Sequence, residues 1–373
     1  MLFKNARIFI KDEGFVFGSF RIENGRFAQI IRGVPNEEGE ELGKACVIPG
    51  LVDIHIHGNS NADFSDGNTE GLERMARYLA VNGITSFAPT SMTLPFDELK
   101  RAFKTAAALK NAEKRGLARI IGINMEGPYV SEKRAGAQNR AYIRKPDYDE
   151  FCRLNEAANG LIKMIDVAPE IDGASDFIKK ASAVCRVSVA HTDCDYCTAC
   201  CAFDNGAKHV THLFNAMPPI HHRNPGVIGA ASERASVTAE LICDGIHVHE
   251  SAVRMAFKLF KGRVCLISDA LRCCAMKDGE YMLGGNRVNL LDGEARLSDG
   301  TIAGSATNLY RCMMNAIRFG IPAEEAINAA TAIPAASIGA GEIGSIECGK
   351  LADFIICDDS LKIKSVYLGG ERV

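Results

Sequence analysis

The sequence lacks the features that mark membrane, nucleic-acid-binding and disordered proteins. Its 373 residues contain no uninterrupted apolar run of about 18 residues, the length that a membrane-spanning helix needs. The net charge is only -3, which gives no electrostatic reason to expect binding to nucleic acid or to an anionic membrane. No low-complexity tract occurs and 47% of the residues are hydrophobic, so we expect an ordinary folded globular protein.

A secretion signal is also missing from the start of the chain. The first residues, MLFKNARIFIKDEG, contain no apolar stretch of signal-peptide length, and we therefore expect a cytoplasmic protein. In that reducing compartment the fourteen cysteines should be free thiols. Four of them, Cys194, Cys197, Cys200 and Cys201, form a pattern that iron–sulfur or zinc sites also use. We favour a helix, because residues three apart share a helix face and no further cysteine has cluster spacing.

Between residues 49 and 345 the chain alternates strand-like and helix-like segments. Eight strand-like runs are nearly continuous in apolar residues, which is typical of parallel strands buried on both faces. Helices are predicted near 68–81, 96–114, 250–260, 305–319 and 323–332, and a β-hairpin insertion over 279–300. The fold class is therefore α/β, and the simplest closure of eight alternating units is a (β/α)8 barrel of TIM type.

Both ends of the chain have a different pattern. Residues 1–48 and 346–373 alternate apolar runs with turn residues, and Asn24-Gly25 and Gly369-Gly370 fit tight hairpin turns. We predict that the two ends join in one small β-sandwich domain beside the barrel. The predicted boundaries are thus 1–48 with 346–373 for the β-domain and 49–345 for the barrel.

Polar residues of metal-binding type stand at the ends of five apolar runs. They are His55 and His57 in GLVDIHIHG, Glu126 in IIGINMEGPY, His191 in VSVAHTD, His212 in HVTHLFNAM and Asp269 in VCLISDA. In a closed parallel barrel the carboxyl ends of all strands meet at one mouth, so these residues are expected to converge. Imidazole and carboxylate groups together are ligands of zinc type.

Each of these residues also has a purely structural interpretation. An H-x-H pair projects to one side of a strand because side chains alternate, yet such a pair also occurs by chance. Glu126 would be costly to bury without a counter-charge, and an arginine is the alternative to a metal. His191 and His212 would singly be core histidines, and Asp269 would be a helix cap. Together they favour a metal site in which Asp269 takes the proton of a water molecule.

Nearly the whole chain resembles the amidohydrolase superfamily. The motifs that carry the resemblance are PGLVDIHIHG, NMEGPYV, VAHTD, THLFNAMPP, HHRNPG, ICDGIHV, ISDA and DGTIAGS, in family order. The resemblance implies that Glu126, His191 and His212 hold a divalent ion, with zinc expected and iron or manganese as alternatives. It implies that Asp269 is general base and then acid. His55 and His57 are retained, which allows one ion or two.

The resemblance further implies the hydrolysis of an acetamide. N-acetyl-D-glucosamine 6-phosphate would give D-glucosamine 6-phosphate and acetate, in amino-sugar catabolism. Backbone N–H groups of Asn215 and Ala216, the side chain of His247, and Arg223 would bind the phosphate; relatives supply this arginine from the neighbouring subunit of a homodimer. The alternatives are the galactosamine epimer, another amidohydrolase substrate, or a metal-free binding or assembly role. No nucleic-acid or membrane partner is expected.

Two positions depart from the family pattern. Gln138 stands in AGAQN where relatives commonly have a histidine. Its amide is expected to contact the sugar or the acetamide, but it has no acid–base capacity. Ile333 in TAIPA replaces a usual asparagine and is interpreted as structural. Neither change affects the predicted metal and proton-transfer residues.

Overall fold

The computed structural model describes residues 1–373 and contains a barrel of eight parallel strands. In chain order the strands are Leu51–Ile56, Ile84–Ser91, Ile123–Met125, Ile162–Val167, Arg186–Val189, His209–Val210, Thr238–Ile242 and Val264–Ile267. Each pairs with the next in this order. A short preceding segment of the third strand, Arg119–Ile120, also pairs with the second. The predicted barrel is confirmed.

The first and eighth barrel strands are joined by hydrogen bonds just beyond their ends. The backbone N–H of Asp269 donates to the carbonyl of His55, and that of His57 to the carbonyl of Ala270, both at 2.9 Å. Deeper in the barrel, the Ser268 hydroxyl donates to the Asp53 carboxylate at 2.6 Å. This junction brings His55, His57 and Asp269 together although more than two hundred residues separate them in sequence.

Ten α-helices accompany the strands. They are Thr69–Val81, Phe96–Asn111, Tyr148–Ala157, Ala174–Ala181, Tyr196–Asp204, Gly226–Ser232, Glu250–Leu259, Leu309–Arg318, Ala323–Ala330 and Ala332–Ser337. The helix predicted to reach residue 114 ends at Asn111, because Glu113 and Gly116 adopt left-handed backbone conformations. The helix predicted over 323–332 is divided at Thr331, which has φ -135° and ψ -83°.

Strands from both termini form one separate sheet. They are Leu2–Ile10, Gly14–Glu23, Arg26–Arg32, Glu40–Glu41, Cys46–Pro49, Phe354–Cys357, Ile363–Leu368 and Glu371–Arg372. Phe27 and Phe354 lie four strands apart in this sheet, yet their ring centroids are only 6.0 Å apart. The sheet therefore folds over its own aromatic core, which agrees with the predicted sandwich-like domain. Both predicted tight turns are present, with positive φ at Asn24-Gly25 and at Gly369-Gly370.

The insertion after the eighth barrel strand is larger than predicted. Instead of one hairpin over 279–300 it is a four-stranded antiparallel sheet, built from Gly279–Leu283, Asn286–Leu291, Glu294–Leu297 and Ile302–Ser305. Glycines at 284, 285, 293 and 300 take positive φ at its three turns, of which the first two have two residues between the strands and the third has four. The side-chain amide of Asn286 donates to the carbonyl of Ala137 at 3.1 Å, which ties the insertion to the loop after the third barrel strand.

The cysteine-rich segment is helical, as predicted. Cys197, Cys200 and Cys201 lie in the helix Tyr196–Asp204, whose first turn is capped by the Asp195 side chain. All fourteen cysteines carry free thiols. None of the helices combines the length and the apolar character required to cross a membrane.

Candidate active site

The predicted ligand residues meet at one end of the barrel. His55 lies in the first strand, and the other residues directly follow strands or come within two or three residues of them. His191, His212 and Asp269 have φ of 42°, 27° and 48°, so the chain turns through the left-handed region at each. This region costs a non-glycine residue on the order of 1–3 kcal/mol, and such strain tends to occur at functional sites. The tight exits leave these three side chains at the barrel mouth.

Glu126 is the centre of the cluster. Its Oε1 lies 3.0 Å from His191 Nε2 and 3.2 Å from His212 Nε2. Its Oε2 lies 3.2 Å from His57 Nε2, and His55 Nε2 is 3.6 Å from Oε1. The donors thus form two groups that share the Glu126 carboxylate: His55 with His57, and His191 with His212. All five residues are buried.

The arrangement of ring nitrogens fits a cation. His55 Nε2 is buried and has no hydrogen-bond partner. His191 Nε2 and His212 Nε2 lie only 3.2 Å apart, and both point at the same carboxylate oxygen. Burying an unpaired polar atom is costly, whereas nitrogen and carboxylate oxygen donors are what a zinc-type ion takes. An arginine, the alternative partner considered for Glu126, makes no ion pair with it.

Three of the four histidines are oriented through their Nδ1 atoms. His57 Nδ1 lies 3.1 Å from the carbonyl of Thr90, and His191 Nδ1 lies 2.8 Å from the carbonyl of Arg134. A carbonyl only accepts, so Nδ1 carries a proton and Nε2 is the nitrogen that faces the cluster and would bind a cation. His55 Nδ1 has a carboxylate partner instead, Glu240, at 2.9 Å.

Charges in the cluster are mutually stabilised. Burial alone would raise the pKa of Glu126, but the neighbouring histidines outweigh burial and hold that pKa well below its usual range. Burial opposes protonation of His57, yet the adjacent carboxylates of Asp269 and Glu126 raise its pKa to about 10. The carboxyl groups of Glu126 and Asp269 are therefore anionic at neutral pH, and an anionic carboxylate attracts a cation.

Asp269 lies beside the cluster and faces open space. Its Oδ1 is 3.3 Å from His57 Nε2 and 3.6 Å from His55 Nε2. Burial acts to raise its pKa, but the hydrogen bond and charge of His57 lower it, so the carboxylate is ionised and able to accept a proton. It does not cap a helix, because the next helix begins only at Leu309.

A cavity of about 430 Å³ opens over the cluster. Besides the cluster residues its walls include Gln138, Asn215, Ala216 and His247, which were predicted to contact substrate. Burial disfavours protonation of His247, but its Nδ1 lies 2.6 Å from the Asp244 carboxylate, which raises its pKa above the ordinary value. The held ring leaves Nε2 free to donate to an anion when protonated.

Gln138 lines the cavity, but its side-chain amide also makes two hydrogen bonds within the protein. Its Nε2 donates to Glu126 Oε2 at 2.6 Å, and its Oε1 accepts from the backbone N–H of Thr93 at 2.7 Å. Sequence reasoning assigned the amide to substrate alone. The loop that carries it therefore also fixes the central carboxylate.

Arg223 is the one predicted site residue that lies away from the cluster and its cavity. It is exposed, its Nη1 lies 2.8 Å from His222 Nε2, and it is not among the residues that line the cavity. Within a single chain the guanidinium does not reach the cluster.

Several residues at the site were not predicted from the sequence. The cavity walls also include Met92, Lys133, Arg134, Arg140, Asp299 and Thr301. Beneath them are the fully buried polar side chains of Asp53, Asp166, His209 and Glu240. A signal for the buried group was present, since each is a charged or titratable residue inside an otherwise apolar strand. The wall residues lie in loops and in the insertion, where no pattern pointed to the cavity.

Comparison with known proteins agrees with the fold. The profile of the amidohydrolase family matches residues 46–373, and the chain therefore belongs to the amidohydrolase family. Within that class it is 36% identical to an N-acetylglucosamine-6-phosphate deacetylase of Bacillus subtilis, over 97% of this chain and 94% of that protein. It is 31% identical to an N-acetylgalactosamine-6-phosphate deacetylase of Escherichia coli O157:H7, over 98% and 97%.

A solved structure is similar over the full length. The N-acetyl-D-glucosamine-6-phosphate deacetylase of Mycobacterium smegmatis was determined as an aspartate-to-alanine mutant in complex with N-acetyl-D-glucosamine 6-phosphate. It superposes with a TM-score of 0.94 at 32% identity, covering 100% of this chain and 98% of that one.

Proposed function

We propose that the protein hydrolyses N-acetyl-D-glucosamine 6-phosphate to D-glucosamine 6-phosphate and acetate. The observation that carries the proposal is the convergence of Glu126, His191, His212 and Asp269 under one cavity. Relatives that are similar over nearly the whole chain bear the name of this activity, which further supports it. A place in amino-sugar catabolism follows from the proposed reaction, and we propose the cytoplasm as the compartment.

A divalent cation fits the cluster, and Glu126, His191 and His212 would hold it. When bound, it supplies Lewis-acid chemistry that polarises a carbonyl and makes water more acidic. His55 and His57, which share Glu126 with the other pair, form the donor group for a second ion. We propose zinc, with iron and manganese as the alternatives that the same ligands accept.

Asp269 would carry out the proton transfers. Its ionised carboxylate takes a proton from the attacking water, whose oxygen forms a bond to the acetyl carbon. Asp269 then gives that proton to the amide nitrogen as the C–N bond breaks. The products are acetate and the free amine, and the carboxylate is ready for another cycle.

The phosphate would bind at the opposite wall of the cavity. Ala216 offers a backbone N–H group, and His247 is a donor held by Asp244. The backbone N–H of Asn215, which was predicted to contribute as well, already donates to the carbonyl of His212 at 2.9 Å. Arg223 would complete the site from the partner subunit of a homodimer, since its exposed loop does not turn into its own cavity. Gln138 would contact the sugar or acetamide through the second hydrogen of its amide group, since the first is donated to Glu126.

The galactosamine epimer is a second candidate substrate. It is favoured by the similarity to the galactosamine-type deacetylase, which extends over 98% of this chain. Acetate release from both epimeric 6-phosphates and their unphosphorylated parents, with zinc, iron or manganese, tests the function. No acetate from any phosphorylated sugar with any of these metals contradicts it.

The ligand assignment has its own test. Glu126→Gln should lose bound metal before it loses the fold, because it removes the charge shared by both donor groups. Metal content measured beside Glu132→Gln, an exposed carboxylate in the loop that follows Glu126, provides the control. A full metal complement in Glu126→Gln would show that the assignment is wrong.

A further inference from the structure

Glu240 is a buried carboxylate that the chemistry described above does not use. It lies in the seventh barrel strand, Thr238–Ile242, between the apolar residues Ala239 and Leu241, and is fully buried. It does not line the cavity, so it does not touch a substrate there. A charge in such a position is stable only when its oxygens are paired.

Both oxygens of Glu240 have histidine partners. Oε2 lies 2.9 Å from His55 Nδ1 and Oε1 lies 3.2 Å from His209 Nε2. Oε2 also accepts from the backbone N–H of His212 at 3.2 Å. On the far side, His209 Nδ1 lies 3.0 Å from the Ser337 hydroxyl. A continuous chain of hydrogen bonds thus connects Ser337 to His55.

We propose that Glu240 is a positioning residue that builds the cation position of His55 and His57. This inference rests on the proposed function only in assuming that the cluster binds a metal ion. An ionised carboxylate can only accept, so His55 Nδ1 carries a proton and Nε2 is the nitrogen left to bind a cation. That Nε2 is the buried nitrogen without a hydrogen-bond partner, 3.6 Å from both Glu126 and Asp269.

His55 is the only cluster histidine oriented by a charged group. His57 and His191 use backbone carbonyls for the same purpose. A carboxylate makes an imidazole a stronger ligand than a neutral acceptor does, and outer partners of this kind typically change metal affinity by about 10- to 100-fold. Glu240 accepts from the backbone N–H of His212 but touches no side chain of the His191 and His212 pair, so its effect should be larger on the His55 side.

The test measures cobalt binding to the full-length apoprotein, by equilibrium dialysis and visible absorption of the bound ion. Wild type is expected to bind two equivalents. Glu240→Met keeps the length of the side chain but removes both acceptors, and it should keep one equivalent while the other weakens by about 10- to 100-fold or more. Glu240→Gln retains an amide oxygen that can still accept from His55, so its second equivalent should be intermediate.

Asp166→Asn is the matched control. Asp166 is also fully buried in a barrel strand, but it accepts from the Thr211 hydroxyl and contacts no histidine of the cluster. This variant should bind both equivalents as wild type does. Circular dichroism of each variant confirms that the fold is retained.

Three results would overturn the inference. One is a folded Glu240→Met that binds both equivalents as tightly as wild type. Another is an equal loss of both equivalents in all variants, Asp166→Asn included. The third is a wild type that binds a single equivalent. If Glu240→Met does not fold, Glu240→Gln decides, and an unchanged second affinity counts against the proposal. Acetate release by wild type is measured separately, so failure here is distinguishable from failure of the proposed function.

Discussion

The barrel mouth and the terminal sheet are both buried, but they are made of opposite kinds of side chain. In the sheet, Phe3, Phe20, Phe27 and Tyr367 surround Phe354 with ring centroids 4.5–6.0 Å away. The mouth is filled with imidazoles and carboxylates, and three of these residues, His191, His212 and Asp269, have left-handed backbone conformations. The aromatic core gains stability from burial, whereas the polar cluster costs desolvation that only its mutual pairing or a cation offsets. Stability and chemistry are thus assigned to different regions, and the following predictions test that division.

The largest effect should come from the terminal sheet and should leave the chemistry intact. Phe354→Ala removes a fully buried ring and should lower the free energy of unfolding by about 3–5 kcal/mol. Metal content and turnover per folded molecule should stay at wild-type values. Urea denaturation gives the first quantity, and Phe354→Leu, which keeps most of the volume, is the control. Loss of metal in folded Phe354→Ala would show that the two regions are not independent.

The next effect should come from the mouth and should leave stability intact. Asp269→Asn should lower turnover by about a hundredfold or more, because the amide cannot take a proton from water. Asparagine tolerates the left-handed conformation at this position, so the fold and the metal content should be retained. Turnover and metal content are measured together, with Asp299→Asn at the cavity wall as the control. Near-normal turnover at full metal occupancy contradicts Asp269 as the base.

A smaller effect is expected at the proposed phosphate site. Arg223→Ala should lower kcat/KM for the 6-phosphate substrate by roughly thirtyfold, since a charge-assisted contact contributes about 2–3 kcal/mol. Use of the unphosphorylated sugar should hardly change, and Arg318→Ala, another exposed arginine, should affect neither. Equal losses on both sugars would exclude a phosphate role.

Mixed dimers show which subunit supplies the arginine. Combining Arg223→Ala with Asp269→Asn subunits should restore activity in the mixed dimers, because one of the two sites in each then contains both intact residues. Verified mixed dimers without recovery would place Arg223 outside the partner's site.

The smallest effect should be a pH dependence at the rim of the mouth. The pKa of His247 is raised above its unfolded value because the hydrogen bond to Asp244 outweighs burial. Its contribution to stability is therefore complete below about pH 6.5, the ordinary pKa of histidine, and is lost as the pH rises through the folded pKa. Unfolding free energies measured against pH should therefore decline over that range. The decline should be smaller in His247→Gln than in wild type, and unchanged in His249→Gln.

Much of the buried polar cluster at the barrel mouth was predictable because the signal is local. His55, Glu126, His191, His212 and Asp269 each stand where an apolar run stops, and parallel strands buried on both faces leave few arrangements other than a barrel. The tight turns at Asn24-Gly25 and Gly369-Gly370 were predictable for the same reason, because their backbone preference is a property of the residues themselves. Helix ends were less accurate, since left-handed residues at 113 and 116 end one helix early.

Sequence alone determined which residues end the strands, and therefore which side chains face the barrel mouth. The tertiary structure decided what each of them touches. Gln138 pairs with Glu126, Glu240 orients His55, and Arg223 lies outside its own cavity. The physical reason is the distance along the chain over which each effect acts. Alternation along a strand fixes the direction of a side chain within a few residues. The hydrogen-bond partners of that side chain are 12 to 185 residues away in sequence, and they are set by how the barrel closes.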